Sequence, residues 1–135
     1  MLLDGYLYGM DNVGGPGRIT HLTCVNAATG ERMWQELRFG KGNLIAAEGK
    51  LFITTMKGEL VVARASPERY DEMGRETILG ATRQAPALAR GMLSLRDDKE
   101  IVFLDVQALR ARQSVNPARP VHPQWFNERL HEKIG

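Results

Sequence analysis

Hydrolytic or group-transfer chemistry needs a histidine, a thiol or paired carboxylates within reach of one another, and this chain offers few candidates. His21, His122 and His131 are the histidines, and Cys24 is the single cysteine. A thiolate–imidazole dyad or a metal pair from His21 and Cys24 would need both side chains on one side of a strand. Three positions apart, they point to opposite faces. His122 and His131 lie in the tail and do not share a helix face well enough for a metal site. Asp97 and Asp98 sit beside Lys99 in a turn, where acids serve backbone geometry. Asp4, Asp11 and Glu48 also fall at strand ends or turns. No Ser-His-Asp set and no zinc spacing emerges. Catalytic, cofactor-binding and metal-binding residues are therefore assigned as none, with Cys24 expected as a small core residue.

Bulk properties narrow the partners. The 135 residues carry 18 basic and 16 acidic side chains, a net charge of +2. That length suits one domain with a core that needs neither disulfide nor metal. Arg110, Arg112 and Arg119 form a basic run without an acid, but no aromatic alternates with them to stack bases. The run reads as a solvated tail, and no nucleic-acid partner is expected. No apolar stretch approaches the roughly 18 residues of a membrane span, so no membrane insertion is expected. The opening MLLDGYLYG lacks the parts of a signal peptide, and the compartment is left unassigned.

The elements that would position any side chain announce themselves by repetition. Gly5, Gly49 and Gly91 each follow a short apolar run and launch another, at a period of roughly 40–45 residues that belongs to four-stranded blades. Each glycine marks a tight hairpin with positive φ. The strands after it are YLYGM, KLFITTM and MLSLR. Third strands align at His21–Asn26, Glu59–Arg64 and Glu100–Asp105, with apolar residues at positions two and four of each. Between second and third strands the first unit carries an insertion, Asn12 to Gly17, read as a flexible loop. Fourth strands are readable at Glu31–Leu37 and Arg69–Arg75 only. The expected core is Leu7, Leu22, Cys24, Trp34, Ile45, Leu51, Ile53, Leu60, Val62, Leu88, Leu93, Ile101 and Phe103.

Asn26-Ala27-Ala28-Thr29-Gly30-Glu31-Arg32-Met33-Trp34 resembles the D-x-x-T-G-x-x-x-W signature of the pyrroloquinoline-quinone-like β-propeller repeat. Such repeats occur in quinoprotein dehydrogenases and in outer-membrane assembly lipoproteins, and the resemblance covers residues 1 to about 107. Thr29, Gly30 and Trp34 match, and Asn26 stands where the family has Asp. The resemblance implies an all-β fold in which the Trp fills the gap between adjacent blades. It also implies a ring of about seven or eight blades with a quinone over its centre. Family dehydrogenases hold that quinone with a vicinal disulfide, a stacking Trp and carboxylate ligands to calcium. One cysteine and barely three blades carry none of this over, so the cofactor expectation is none. Many members of the family are scaffolds or adaptors, and full-length relatives are often periplasmic or cell-envelope proteins.

The fold expected is thus a partial β-propeller of roughly three four-stranded antiparallel blades with a short C-terminal helix. Its parts are an incomplete blade 1–39, a complete blade 40–80, a three-stranded blade 81–107, and a tail 108–135 with a capping helix at about 123–134. An arc cut from a ring bares two hydrophobic faces, which soluble monomers rarely tolerate. In the tail, Phe126, Leu130 and Ile134 recur at helical spacing with Trp125 beside them, and these four are the expected interaction residues. A helix that short needs a docking partner to form. The function expected is a non-catalytic scaffold or protein-interaction module that self-associates as a homo-oligomer, with a further protein or peptide partner engaged at the Asn12–Gly17 loop. A second class stays open, a weak hydrolase whose site forms in a central or inter-chain pocket of the oligomer.

Overall fold

The computed structural model describes residues 1–14 and 19–106, and the backbone of 129–132. Its strands form three four-stranded antiparallel sheets, each a simple up-and-down meander. The first sheet, blade 1, holds β1 (Leu2–Leu3), β2 (Tyr6–Val13), β3 (Ile19–Asn26) and β4 (Arg32–Glu36). Blade 2 holds β5 (Gly42–Ala47), β6 (Lys50–Thr55), β7 (Glu59–Arg64) and β8 (Asp71–Thr77). Blade 3 holds β9 (Ala87–Ala89), β10 (Met92–Arg96), β11 (Ile101–Asp105) and β12 (Arg129–Glu132).

Each blade opens with the same two-residue hairpin. Asp4-Gly5, Glu48-Gly49 and Arg90-Gly91 all have positive φ at both positions, between 50° and 82°. That is the turn whose twist matches two right-twisted strands, and it explains why glycine recurs at its second residue. The glycine carbonyl then accepts an equivalent backbone bond in every blade, from the N–H of Ala27 at 3.0 Å, Ala65 at 2.8 Å and Val106 at 2.9 Å. These bonds tie the exit of each third strand back to the first turn.

Burial follows from which faces have a neighbouring blade. One core cluster joins Tyr8, Leu22 and Cys24 of blade 1 to Leu51, Ile53, Val61 and Ala63 of blade 2. The other joins Phe52, Leu60 and Val62, on the opposite face of blade 2, to Leu93, Leu95, Val102 and Leu104 of blade 3. Blade 2 is therefore packed on both sides, and β6 is buried at all six residues. Calling the face turned to the next blade leading and the other trailing, leading faces pack on trailing faces at both junctions. Each buried leucine contributes about 1.5–3 kcal/mol by leaving water.

This rule corrects the expected core at the two ends. Leu22, Cys24, Leu51, Ile53, Leu60, Val62 and Leu93 are buried as expected, and Trp34, Ile45 and Leu88 are half-buried against the clusters. Leu7, however, is 43% exposed, while its neighbour Tyr8 is 2% exposed. Leu7 occupies the trailing face of blade 1, equivalent to buried Leu51, and no described blade stands before it. In β11 the expected pair Ile101 and Phe103 is only half-buried, and Val102 and Leu104 are the fully buried residues. Ile101 and Phe103 are true counterparts of Leu60 and Val62, but on the leading face of the last blade.

Two local expectations also change. The insertion in blade 1 lengthens a hairpin, since Asn12 pairs with Thr20 and Val13 with Ile19. Asn12 and Val13 are thus strand, and the Asn12 side chain accepts a 2.7 Å bond from the Thr20 hydroxyl. Residues 15–18 lie outside the described part. Arg129–Glu132, inside the stretch expected as a helix, is strand β12, paired to β11 with Leu130 opposite Phe103 and His131 opposite Val102. The physical reason is that β11 would otherwise present an unpaired edge, whereas a helix of about ten residues has little stability of its own. Blade 3 thereby gains a fourth strand.

Candidate functional site

The signature at residues 26–34 builds a junction between blades. The Asn26 side-chain oxygen accepts from the N–H groups of Ala28 at 2.9 Å and Thr29 at 3.3 Å, so its amide caps the turn. Gly30, with φ 75°, closes the turn by donating to the Asn26 carbonyl at 2.8 Å. A bulge between Cys24 and Val25 then offsets β4 so that Trp34 stands opposite Cys24. The Trp34 indole N–H donates to the Ser66 carbonyl of blade 2 at 2.7 Å. Its ring lies 6.1 Å from Tyr8 and 5.6 Å from Tyr70, and Tyr70 meets Phe39 edge-on at 6.1 Å.

Around that aromatic row the titratable groups are inert rather than poised. Burial pushes the Tyr8 phenol up to about 12, with Cys24 beside it adding to the effect. Burial likewise raises the Cys24 thiol, which keeps it protonated and a poor nucleophile. The Tyr70 hydroxyl is also raised, by burial first and then by its 2.7 Å bond to the Glu72 carboxylate. His21 accepts from the Arg38 backbone N–H at 2.9 Å and points away from Cys24, as the strand period requires. At the other junction, Asp97 accepts from the N–H groups of Lys99, Glu100 and Gly80 at 2.7, 2.9 and 2.8 Å, which hold its carboxyl below the usual range. It is a turn cap that also fastens the blade 2–3 connection.

Among the described residues, no blade packs on the outer face of the first blade or of the last. On the trailing face of blade 1, Leu2 is 61% exposed, Val13 48% and Ile19 39%, alongside Leu7. Gly9 and Thr23 lie between them, and Asp11 is paired with His21 at the far end. On the leading face of blade 3 stand Met92, Ser94, Ile101 and Phe103, with exposed Arg96 paired to Ile101. Of the residues expected to interact, Leu130 takes a place in β12, and Trp125, Phe126 and Ile134 lie outside the described residues. Sequence reading expected two bared end faces but not their residues, because it assigned Leu7, Ile101 and Phe103 to the core. The available signal was their place in the first and last units of the repeat.

Cys24 is the single cysteine and is sealed in the core beneath Tyr8. Among the described residues no group of three or more His, Cys, Asp or Glu could hold a metal ion. Nor does any described helix have the length and apolarity to cross a membrane.

Taken together, the meanders and their leading-on-trailing packing define an all-β partial β-propeller. Among solved structures, a europium-containing methanol dehydrogenase is similar to it in fold, with a TM-score of 0.58 at 14% sequence identity. The match covers 78% of this chain and 22% of that one. A scan against protein-family models matches none, and no curated protein matches the sequence.

Proposed function

We propose that the chain is a non-catalytic propeller module, a scaffold or protein-interaction unit that self-associates to cover its open blade faces. The observation that carries this reading is the exposure step between equivalent residues: Leu51 is fully buried in the middle blade, and its counterpart Leu7 is 43% exposed in the first. A face built for a neighbouring blade is a face that gains by acquiring one. The inert state of Cys24 and Tyr8 and the structural use of Asp97 favour scaffolding over chemistry. Sedimentation velocity across a micromolar concentration series tests self-association. Species larger than the 15.1 kDa chain, growing with concentration, are expected. A single monomeric species throughout would overturn the self-association.

A further inference from the structure

We infer that the copies join head to tail, the leading face of blade 3 in one seating on the trailing face of blade 1 in the next. This rests on the self-association proposed above and gives it a direction. Both junctions inside the chain are of leading-on-trailing type, and among the described residues no blade packs on the leading face of blade 3 or the trailing face of blade 1, so these two faces are halves of the same junction. A like-on-like pairing would bring together faces that never meet within the fold.

Shape and charge along the two faces agree with that pairing. At the place of Cys24 on the leading face, blade 3 has the much larger Phe103. At the places of Ile53 and Val61 on the trailing face, blade 1 has the smaller Gly9 and Thr23. A Cβ added to Gly9 would meet nothing within 4 Å, so the trailing face has open space there for a large side chain of a facing blade. Counting from the hairpin, Arg96 takes the place of Met10 on a leading face, and Asp11 takes that of Thr55 on a trailing face. These adjacent levels bring a cation of one copy to an anion of the other, and both side chains are exposed in the single chain. Head-to-tail contacts either close into a ring or run on as a chain.

Complementation between variants tests the direction. Leu7→Glu spoils the trailing face and Phe103→Glu the leading face, and circular dichroism verifies the fold of each. Sedimentation should show either variant alone associating about tenfold or more weaker than wild type. Their equimolar mixture should form 1:1 heterodimers, because the intact leading face of the first meets the intact trailing face of the second. If wild type is monomeric, the self-association fails and this inference with it. If wild type associates but the mixture stays monomeric, or either variant alone associates like wild type, only the head-to-tail direction is overturned. Should Phe103→Glu not fold, the exposed pair serves instead: Asp11→Arg and Arg96→Asp should each weaken association, and the double variant should regain it. A double variant weaker than both singles would overturn the pairing.

Discussion

The two blade junctions use one backbone plan and different chemistry. Between blades 1 and 2 the gap is filled by Tyr8, Trp34, Tyr70 and Phe39, and it includes a cross-blade bond from Trp34 to Ser66. Between blades 2 and 3 the fill is aliphatic apart from Phe52, with Leu60, Val62, Ile78, Leu79, Leu93, Leu95, Val102 and Leu104. The difference originates in which residue occupies one shared register position. Both β4 and β8 carry the same bulge, and where Trp34 faces Cys24, Gly74 faces Val62. Without the indole, the second junction is closed by the connecting segment after β8, whose Ile78 and Leu79 turn inward. The meander therefore fixes where a filler must go, while the filler itself can come from the fourth strand or from the linker.

If the linker is the filler of the second junction, the residue that anchors it should matter most. Gly58 has φ 88°, and its carbonyl accepts from the N–H groups of Ile78 at 3.0 Å and Leu79 at 3.1 Å. A Cβ there would run into the carbonyls of Leu79 and Gly80. Gly58→Ala should thus cost about 3 kcal/mol, from the left-handed backbone and the enforced backbone shift together. Hydrogen exchange should show the loss concentrated in blade 3, with β2 and β3 less affected. Equal loss of protection in blades 1 and 3 would mean that the two junctions melt as one unit.

For the first junction the corresponding change is milder. Trp34→Phe keeps an aromatic filler but removes the donor to the Ser66 carbonyl, for an expected loss of about 1 kcal/mol in chemical denaturation. A loss below experimental error would show that water satisfies Ser66 equally well, and that ring packing alone holds the junction.

What the sequence made legible separates along the same lines. Features decided within a few residues were readable: the hairpins at Gly5, Gly49 and Gly91, and the turn from Asn26 to Gly30 that delivers Trp34 to the gap. Alternation in the middle blade was readable too, since Leu60 and Val62 have neighbours whichever face they occupy. The errors at Leu7, Ile101 and Phe103 arose because periodicity tells which residues share a face but not whether another blade stands against it. In the tail sequence the spacing of Phe126, Leu130 and Ile134 suits a helix in isolation, and the need of β11 for a partner, met by Arg129–Glu132, is a long-range fact that no local pattern carries. The candidate interaction surfaces were legible in kind, as bare ends of an arc, but their residues were not.

Alkaline titration gives the finest separation of the two junctions. All three tyrosines, Tyr6, Tyr8 and Tyr70, belong to the first junction, and the second has none. Tyr8 is held near 12 and Tyr70 is raised as well, both chiefly by burial, whereas the unfolded phenol titrates near 10. Raised values mean that the folded chain binds more protons than the unfolded one above pH 10. Their stabilising contribution is full below that point and is lost as pH climbs through the folded values. Raising the pH from 10 to 12 should therefore lower protection first in β2, β3 and β4, with tyrosinate absorbance rising in step, while β10 and β11 stay protected. Tyr8→Phe should move the onset to higher pH, because the packed ring remains and the proton that must be surrendered is gone. An onset unchanged by Tyr8→Phe would place the alkaline sensitivity on Tyr70 and its bond to Glu72, and the double variant Tyr8→Phe, Tyr70→Phe would then carry the shift.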